Sequence, residues 1–505
     1  MDTFFLIWRN LFIKRLIRNF VYQDVVIFVT DGHYDDREYK YLAMFSSQEK
    51  LDYNISILYN GTMEHYTNSL YRDIINSLIM GSGIHDFSNI QEGVHSIIFT
   101  ADLEKKGCGR LPQSLTYLEM CAYNDSSEVD VVQYVLSNLP SNLKTLAMPC
   151  NNIIARDVLL PDTLTTLDYT STVNNLQHFV VSAKDRVLDK CVLKVTSKEA
   201  LTWLHENKWI NKISLEEVQD IEFDSNTIPP HVSSIDKYDA ISLDESVFPP
   251  MLQSLSLSLY SITPFYHLSH LKTLNTSCQV LLEPNVLPLS LENLSLEYTL
   301  PLEPGVLPIH LKNLFMRTFN QPLCVGSLPD SITILKLGLF NQPLLPYVLP
   351  PKLKELNMYN FTQPMLSENT LPLSLTHIFI NTFKGSFEAS CQPLDNLKLL
   401  SIYKLDHSLS TLLCNVKSIK IWVDMIDSSS DLSNTCMQNL YLTCWGESNR
   451  YSKPFPRTIK HLTLNNVAIQ SFGIIPDGCL YLKSSGQHIN TLFIPKSVKS
   501  IIQKK

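Results

Sequence analysis

At 505 residues the chain would ordinarily divide into several globular domains, and an apolar content of 45% is that of a folded protein. Only 15 Gly stand against 27 Pro, an inverted ratio for a nucleotide-binding enzyme, whose phosphate loops need backbone conformations that Gly alone supplies. A net charge of −8 offers no global basic field to a nucleic-acid backbone, and eleven Cys without a Cys-x-x-Cys pair signal neither a disulfide framework nor a zinc site, which points to a reducing, cytoplasmic setting.

Residues Met1 to about Tyr22 read as an amphipathic helix, with Phe5, Phe12, Ile13, Leu16, Ile17 and Phe20 on one side and Lys14, Arg15, Arg18 and Asn19 on the other. Arg9, Lys14, Arg15 and Arg18 interrupt every apolar run, which excludes a transmembrane span, and Phe4 to Trp8 precede the basic residues, unlike a signal peptide. The helix is expected to cap the open end of the following structure through Phe5, Phe12, Leu16 and Phe20; contact with a membrane surface is the rival reading. Val25 to Val29 reads as a short buried strand that ends at Asp31-Gly32, and His33, Asp35 and Asp36 read as solvated turn residues rather than metal ligands. Tyr71 to Met80 carries an apolar helical pattern that runs into Gly81-Ser82-Gly83, a turn.

From Val94 onward one phrase recurs. It reads Leu307-Pro308-x-x-Leu311-x-x-Leu314-x-Met316-x-x-Phe319-Asn320-Gln321-Pro322, returns at Leu328 to Pro343 and at Leu349 to Pro364 with Thr362 in the Asn place, and survives in part from Leu371 to Phe383. Its central apolar anchor is found at Leu252, Leu271, Leu291, Leu311, Ile332, Leu353, Leu375, Leu397, Val416, Met437, Ile459, Cys479 and Val498. The thirteen anchors make twelve steps over 246 residues, a mean of about 20.5. Upstream the series is looser, through Val94, Leu115, Leu143, Leu164, Leu188, Ile210 and Val232. It is interrupted by an acidic insertion around Asp125 to Asp130, expected as a surface loop or short helix, and by a helix over Ser197 to Asn207 with Ser197 as N-cap.

The Leu-Pro opening, the Leu-x-x-Leu-x-Leu core and the closing Phe-Asn-Gln-Pro resemble the FNIP repeat, a short relative of the leucine-rich repeat. The resemblance implies an α/β fold: a curved leucine-rich-repeat-like solenoid with a parallel β-sheet on its concave face, mostly extended or 3-10 segments on its convex face, and a small helical N-terminal cap. The expected division is a cap region at 1–93 and a solenoid at 94–505, best formed over 248–400. Family membership transfers no catalytic residue and implies an interaction scaffold.

Within a rung, Leu356 and Met358 face one side of a strand while Glu355, Asn357 and Tyr359 face the other. Phe319, Phe340, Phe361 and Phe383, each eight residues after its anchor, are expected to stack as a column of core. Asn320 and Asn341 are expected to satisfy backbone groups where the chain turns. The outward places are short and polar at Thr273, Asn275 and Ser277. They become large at Phe315, Arg317, Lys336, Tyr359, Phe379, Tyr403, Lys420, Trp422 and Tyr441, the candidate partner-binding residues of the concave face. The implied partner is a protein or peptide rather than a nucleic acid. No Gly-rich, Ser/His/Asp or paired-carboxylate constellation points to an enzyme or a cofactor. The alternative is a substrate-recognition adaptor of a ubiquitin ligase, since Leu6-x-Trp8-Arg9-x-Leu11 before leucine-rich rungs is reminiscent of an F-box, without its Leu-Pro opening.

Overall fold

The strands from Asn293–Tyr298 to His377–Ile380 are each set up by the Leu-Pro turn before them. In the computed structural model, which describes residues 10–29, 36–121, 129–150, 152–183, 186–215, 223–224, 226–237, 247–257 and 265–504, the carbonyl of Pro308 accepts the N–H of Leu311 at 3.1 Å. Pro329 and Pro350 do the same for Ile332 and Leu353, at 3.2 and 3.1 Å. Pro brings no N–H that would need a partner, and its fixed φ aims the chain into the strand. The residue before the anchor then ties neighbouring rungs: Ser331 Oγ donates to the carbonyl of Leu311 and Ser374 Oγ to that of Leu353, each at 2.7 Å.

The chain forms two units, residues 1–236 and 237–505. In the first, Val26–Val29, Ser56–Gly61, Ser77–Ile84 and Ser96–Ala101 pair in parallel in that order, so the ladder is three strands long before Val94, where the repeat phrase becomes legible. It continues through Tyr117–Cys121, Thr145–Ala147, Thr166–Ser171, Asp189–Val195 and Lys212–Leu215. Tyr71 to Met80 is not the expected helix but a 3-10 turn, Arg72–Ile74, followed by the strand Ser77–Ile84. Its buried Ile74, Ile75, Leu78 and Met80 suit either period, and pairing with Ser56–Gly61 decides between them. Helices Asp130–Ser137 and Lys198–Glu206 occupy the return paths, the second with Ser197 at its N-cap position. Residues 122–128 of the acidic insertion, His33 and Asp35 lie outside the described residues, as do Leu6, Trp8 and Arg9 of the adaptor resemblance.

The N-terminal helix spans Leu11–Val21 in the described residues and is capped by Asn10, whose Oδ1 accepts the N–H of Phe12 at 2.9 Å. It docks by the opposite side from the one expected. Phe12 and Phe20 are 68% and 63% exposed, Leu16 is half-buried, and Phe5 falls outside the described residues. The polar contact is made by Arg15, Arg18 and Asn19 on the buried Glu49, with Arg18 Nη2 and Asn19 Nδ2 at 2.8 and 2.7 Å from Glu49 Oε1, and of the apolar side Phe20 meets Tyr53 edge-on at 5.6 Å. Glu49 also closes a capping box with Ser46. A buried carboxylate needs compensating donors, and that requirement outweighs the apolar stripe in orienting the helix. No helix among the described residues is long and apolar enough to cross a membrane.

In the second unit the strands run Ser254–Ser256, Thr273–Cys278, Asn293–Tyr298, Asn313–Met316, Ile334–Leu337, Glu355–Asn357, His377–Ile380, Leu399–Lys404, Ser418–Met425, Asn439–Cys444, His461–Asn465, Tyr481–Ser485 and Ser500–Lys504, each parallel to the next. Buried and solvated residues alternate along them, as in Asn313–Met316 and Ile334–Leu337. Behind the sheet the path is mostly irregular, with short parallel pairs such as Met365–Leu366 with Ser386–Phe387.

The expected aromatic column is present, and Tyr298 extends it: ring centroids from Tyr298 through Phe319, Phe340 and Phe361 to Phe383 are 6.4, 6.3, 6.3 and 5.8 Å apart. The Asn residues act between rungs rather than within one. Asn320 Oδ1 accepts the N–H of Asn341, and Asn341 Oδ1 that of Thr362, both at 2.8 Å. Six residues before the anchors Leu291, Leu311, Ile332, Leu353 and Leu375, the backbone is left-handed at Asn285, Gly305, Gly326, Tyr347 and Asn369. Tyr347, with φ 62°, is the one bulky side chain in that column, where Gly and Asn are the residues at ease.

The anchors do not form one column throughout. Up to Leu397 they are in register, but Leu399 pairs with Lys420 rather than with Ser418, so Val416 and its successors sit two residues earlier along the strand. A slip of two residues leaves every side chain on its own face, and Ile419, Ile421 and Val423 are all buried, so the apolar pattern conceals it.

Candidate functional site

Seven of the nine candidate residues lie on the solvent face of the sheet in the second unit, because each alternates with a core residue of its strand, while Arg317 and Tyr359 come just after the strands Asn313–Met316 and Glu355–Asn357. They form two groups. In the first, Phe315 and Lys336 are direct cross-strand partners, with Lys336 Nζ 5.2 Å from the ring centre and 3.0 Å from Glu355 Oε1. Arg317 and Tyr359 are exposed at the ends of their strands, on either side of Gly338, where a Cβ would come within 2.6 Å of the Arg317 carbonyl oxygen.

The second group is built across Ser401. Phe379, Ser401 and Trp422 are aligned on three successive strands, and the small buried Ser lets the outer rings reach each other, with centroids 6.3 Å apart. Lys384 Nζ lies 4.4 Å from the centre of the Tyr403 ring, and Asn381 Nδ2 donates to Ser401 Oγ at 2.9 Å. Lys420, on the same strand as Trp422, is the direct partner of Tyr441 on the next strand. They border a trough of about 710 Å³ that is also lined by Lys398, Lys417, Asn439 and His461. The His461 and Tyr481 rings stack at 4.7 Å, and a ring nitrogen of His461 is 2.7 Å from Asn439 Oδ1.

Lys384, Lys398, Lys417, His461 and Tyr481 are absent from the sequence reading of this face. Lys398 and Lys417 directly follow their anchors and precede their strands, and the two-residue slip moves His461 and Tyr481 onto an added outward position. The three-membered apolar alternation Ile419, Ile421, Val423 does not set this strand apart, since Leu294, Leu296 and Tyr298 alternate in the same way in a strand that keeps its register. Among the described residues no three His, Cys, Asp or Glu side chains are grouped to hold a metal ion.

The FNIP repeat model matches residues 279–318, 319–359 and 340–383, the stretch in which the aromatic column and the Asn ladder are formed. This chain carries FNIP repeats. No curated protein sequence matches it. Among solved structures the chain is similar to the circular leucine-rich-repeat protein CroV588, at 17% identity over 95% of this chain and 79% of that one, with a TM-score of 0.46. It is also similar to YopM from Yersinia enterocolitica, at 15% identity over 87% and 93% with a TM-score of 0.34, and to the chain of a TLR13–ssRNA13 complex, at 14% over 88% and 76% with a TM-score of 0.45. The fold is a leucine-rich-repeat-like solenoid, and the FNIP rungs carry the first group of candidate residues together with Phe379.

Proposed function

We propose that the chain is a non-catalytic interaction protein whose partner, a protein or peptide, lies against the solvent face of the sheet in residues 237–505. The observation that carries this reading is the change in that face along the unit. The strands Thr273–Cys278 and Asn293–Tyr298 present Thr273, Asn275, Ser277, Asn293, Ser295 and Glu297, with no aromatic ring, whereas those from Asn313 onward include Phe315, Phe379, Tyr403, Trp422 and Tyr441. Trp422 and Tyr403 are half-buried against Phe379 and Lys384, so they lose little freedom when covered, which is the property of an interface anchor.

The test changes Trp422→Ser and Tyr403→Ser together, compares thermal unfolding with that of the wild-type chain, and measures recovery of the proteins that the wild-type chain captures. Recovery should fall while the melting transition stays close to wild type. Unchanged recovery by a folded variant would place binding elsewhere and end this reading.

A further inference from the structure

We propose that the trough bordered by Lys398, Lys417 and Lys420 seats an extended acidic peptide segment of the partner; this rests on the interaction reading above and names the partner's chemistry. The three lysines are exposed, lie in or directly before two adjacent strands and line one cavity of about 710 Å³. Lys420 donates its backbone N–H to the carbonyl of Lys398 at 2.8 Å, which fixes the two side by side.

Other lysines of this unit are neutralised by neighbours: Lys312 by Glu292 at 2.7 Å and Lys336 by Glu355 at 3.0 Å. Lys398, Lys417 and Lys420 pair with no carboxylate among the described residues, and Asp395 is the one acidic side chain lining the trough. Against a chain of net charge −8, residues 384–505 hold fourteen Lys and Arg to eight Asp and Glu, so the excess is regional as well as local. Like charges left together repel, and an anionic ligand relieves that repulsion as it binds.

Peptide is favoured over single-stranded nucleic acid by the state of the aromatic rings. Bases bind such proteins by stacking on open aromatic faces. Of the two rings that line the trough, His461 is already stacked on Tyr481, which leaves Tyr441 alone for a base. An extended peptide with acidic residues at alternate positions carries its carboxylates on one side about 6.8 Å apart, between one and two strand spacings of the sheet beneath.

The experiment titrates a fluorescein-labelled peptide of alternating Glu and Gly with the full chain and follows anisotropy, with the Gln-for-Glu peptide and an oligothymidylate of equal length as comparators. The Glu peptide should bind best, weaken as salt is raised, and lose about tenfold in affinity with Lys398→Gln, Lys417→Gln and Lys420→Gln together. The corresponding triple Arg variant should restore it, and thermal unfolding of each variant guards against a folding defect. Equal binding of the Gln peptide, unchanged affinity of a folded Gln variant, or tighter binding of oligothymidylate overturns the proposal, the last by giving the trough to nucleic acid. A Trp422→Ser variant separates the two readings. Loss of peptide binding there but not in the Gln variant keeps the sheet face as the interaction site and removes the lysine trough from it; no loss in either removes the trough and leaves the sheet-face reading to the capture experiment above.

Discussion

Asn76, in the N-terminal rungs, and Asn341, in the FNIP rungs, both spend a side-chain amide on backbone groups of other rungs, under different conditions. Asn76 is buried; its Oδ1 accepts the N–H of Ile57 at 2.7 Å and its Nδ2 donates to the carbonyl of Ile55 at 2.9 Å. Asn341 is half-buried but its bonds are open to solvent; it takes the N–H of Thr362 and hands its own N–H to Asn320. The bond at Asn341 is one of a series and water can replace it, whereas the bonds at Asn76 occur once and are sealed from solvent. Repetition shares a polar requirement among rungs, and its absence concentrates the requirement on single side chains.

The largest effect expected concerns what repetition does not share. Phe340→Ala empties a fully buried place between two stacked rings and should cost about 3–5 kcal/mol in urea unfolding; a cost near zero would mean that the column closes up. The comparison is drawn most sharply by Asn76→Ala, which strands a buried donor and a buried acceptor and should cost about 3 kcal/mol. Asn341→Ala, the same change in an exposed series, should cost about 1 kcal/mol. Equal values for the two would dissolve the distinction.

A smaller gain is expected at Tyr347, the exception within the left-handed column. Its side chain is 70% exposed, so Tyr347→Asn gives up little burial while relieving backbone strain, and should stabilise by about 1 kcal/mol. Destabilisation would show that the tyrosine makes a compensating contact.

The last effect is local. Burial pushes the Glu49 carboxyl up, but hydrogen bonds from Arg15, Asn19 and Ser46 outweigh it and hold the group below the usual carboxylate range. Its folded pKa lies below its unfolded one, so its contribution is present above about pH 4.3 and is lost as the pH falls further. Amide exchange in Leu11–Val21 should accelerate on acidification below that point, and Glu49→Gln should remove the pH dependence. Exchange that is insensitive to pH after correction for intrinsic rates would mean that Glu49 does not hold the helix.

The FNIP rungs were legible because the residues that repeat are those that pack: the Leu-Pro turn, the anchor, the paired core residues and the Phe. Outward alternation followed from strand geometry, so the orientation of Phe315, Lys336, Phe379 and Trp422 was also legible. Three features were not. The slip after Leu397 preserves the face of every side chain, the strands before Val94 bury residues at spacings shared by helix and sheet, and the docking side of the N-terminal helix depends on Glu49, about 30 residues away in sequence. The lysine trough combines a register shift with residues just outside the strand cores, and neither has a signature in composition.

The Asn ladder also sets the unit by which this stretch can change length. The bonds from Asn320 to Asn341 and from Asn341 to Thr362 each span 21 residues, and excising residues 321–341 would join Asn320 to Gln342, recreating Phe-Asn-Gln-Pro with Thr362 next in line. Loss of a single residue inside a rung would instead carry its Phe out of the column and its amide out of reach. Insertions and deletions here are therefore tolerated in whole rungs, and the gene can lengthen or shorten the FNIP stretch by copying or dropping a rung without redesigning its neighbours.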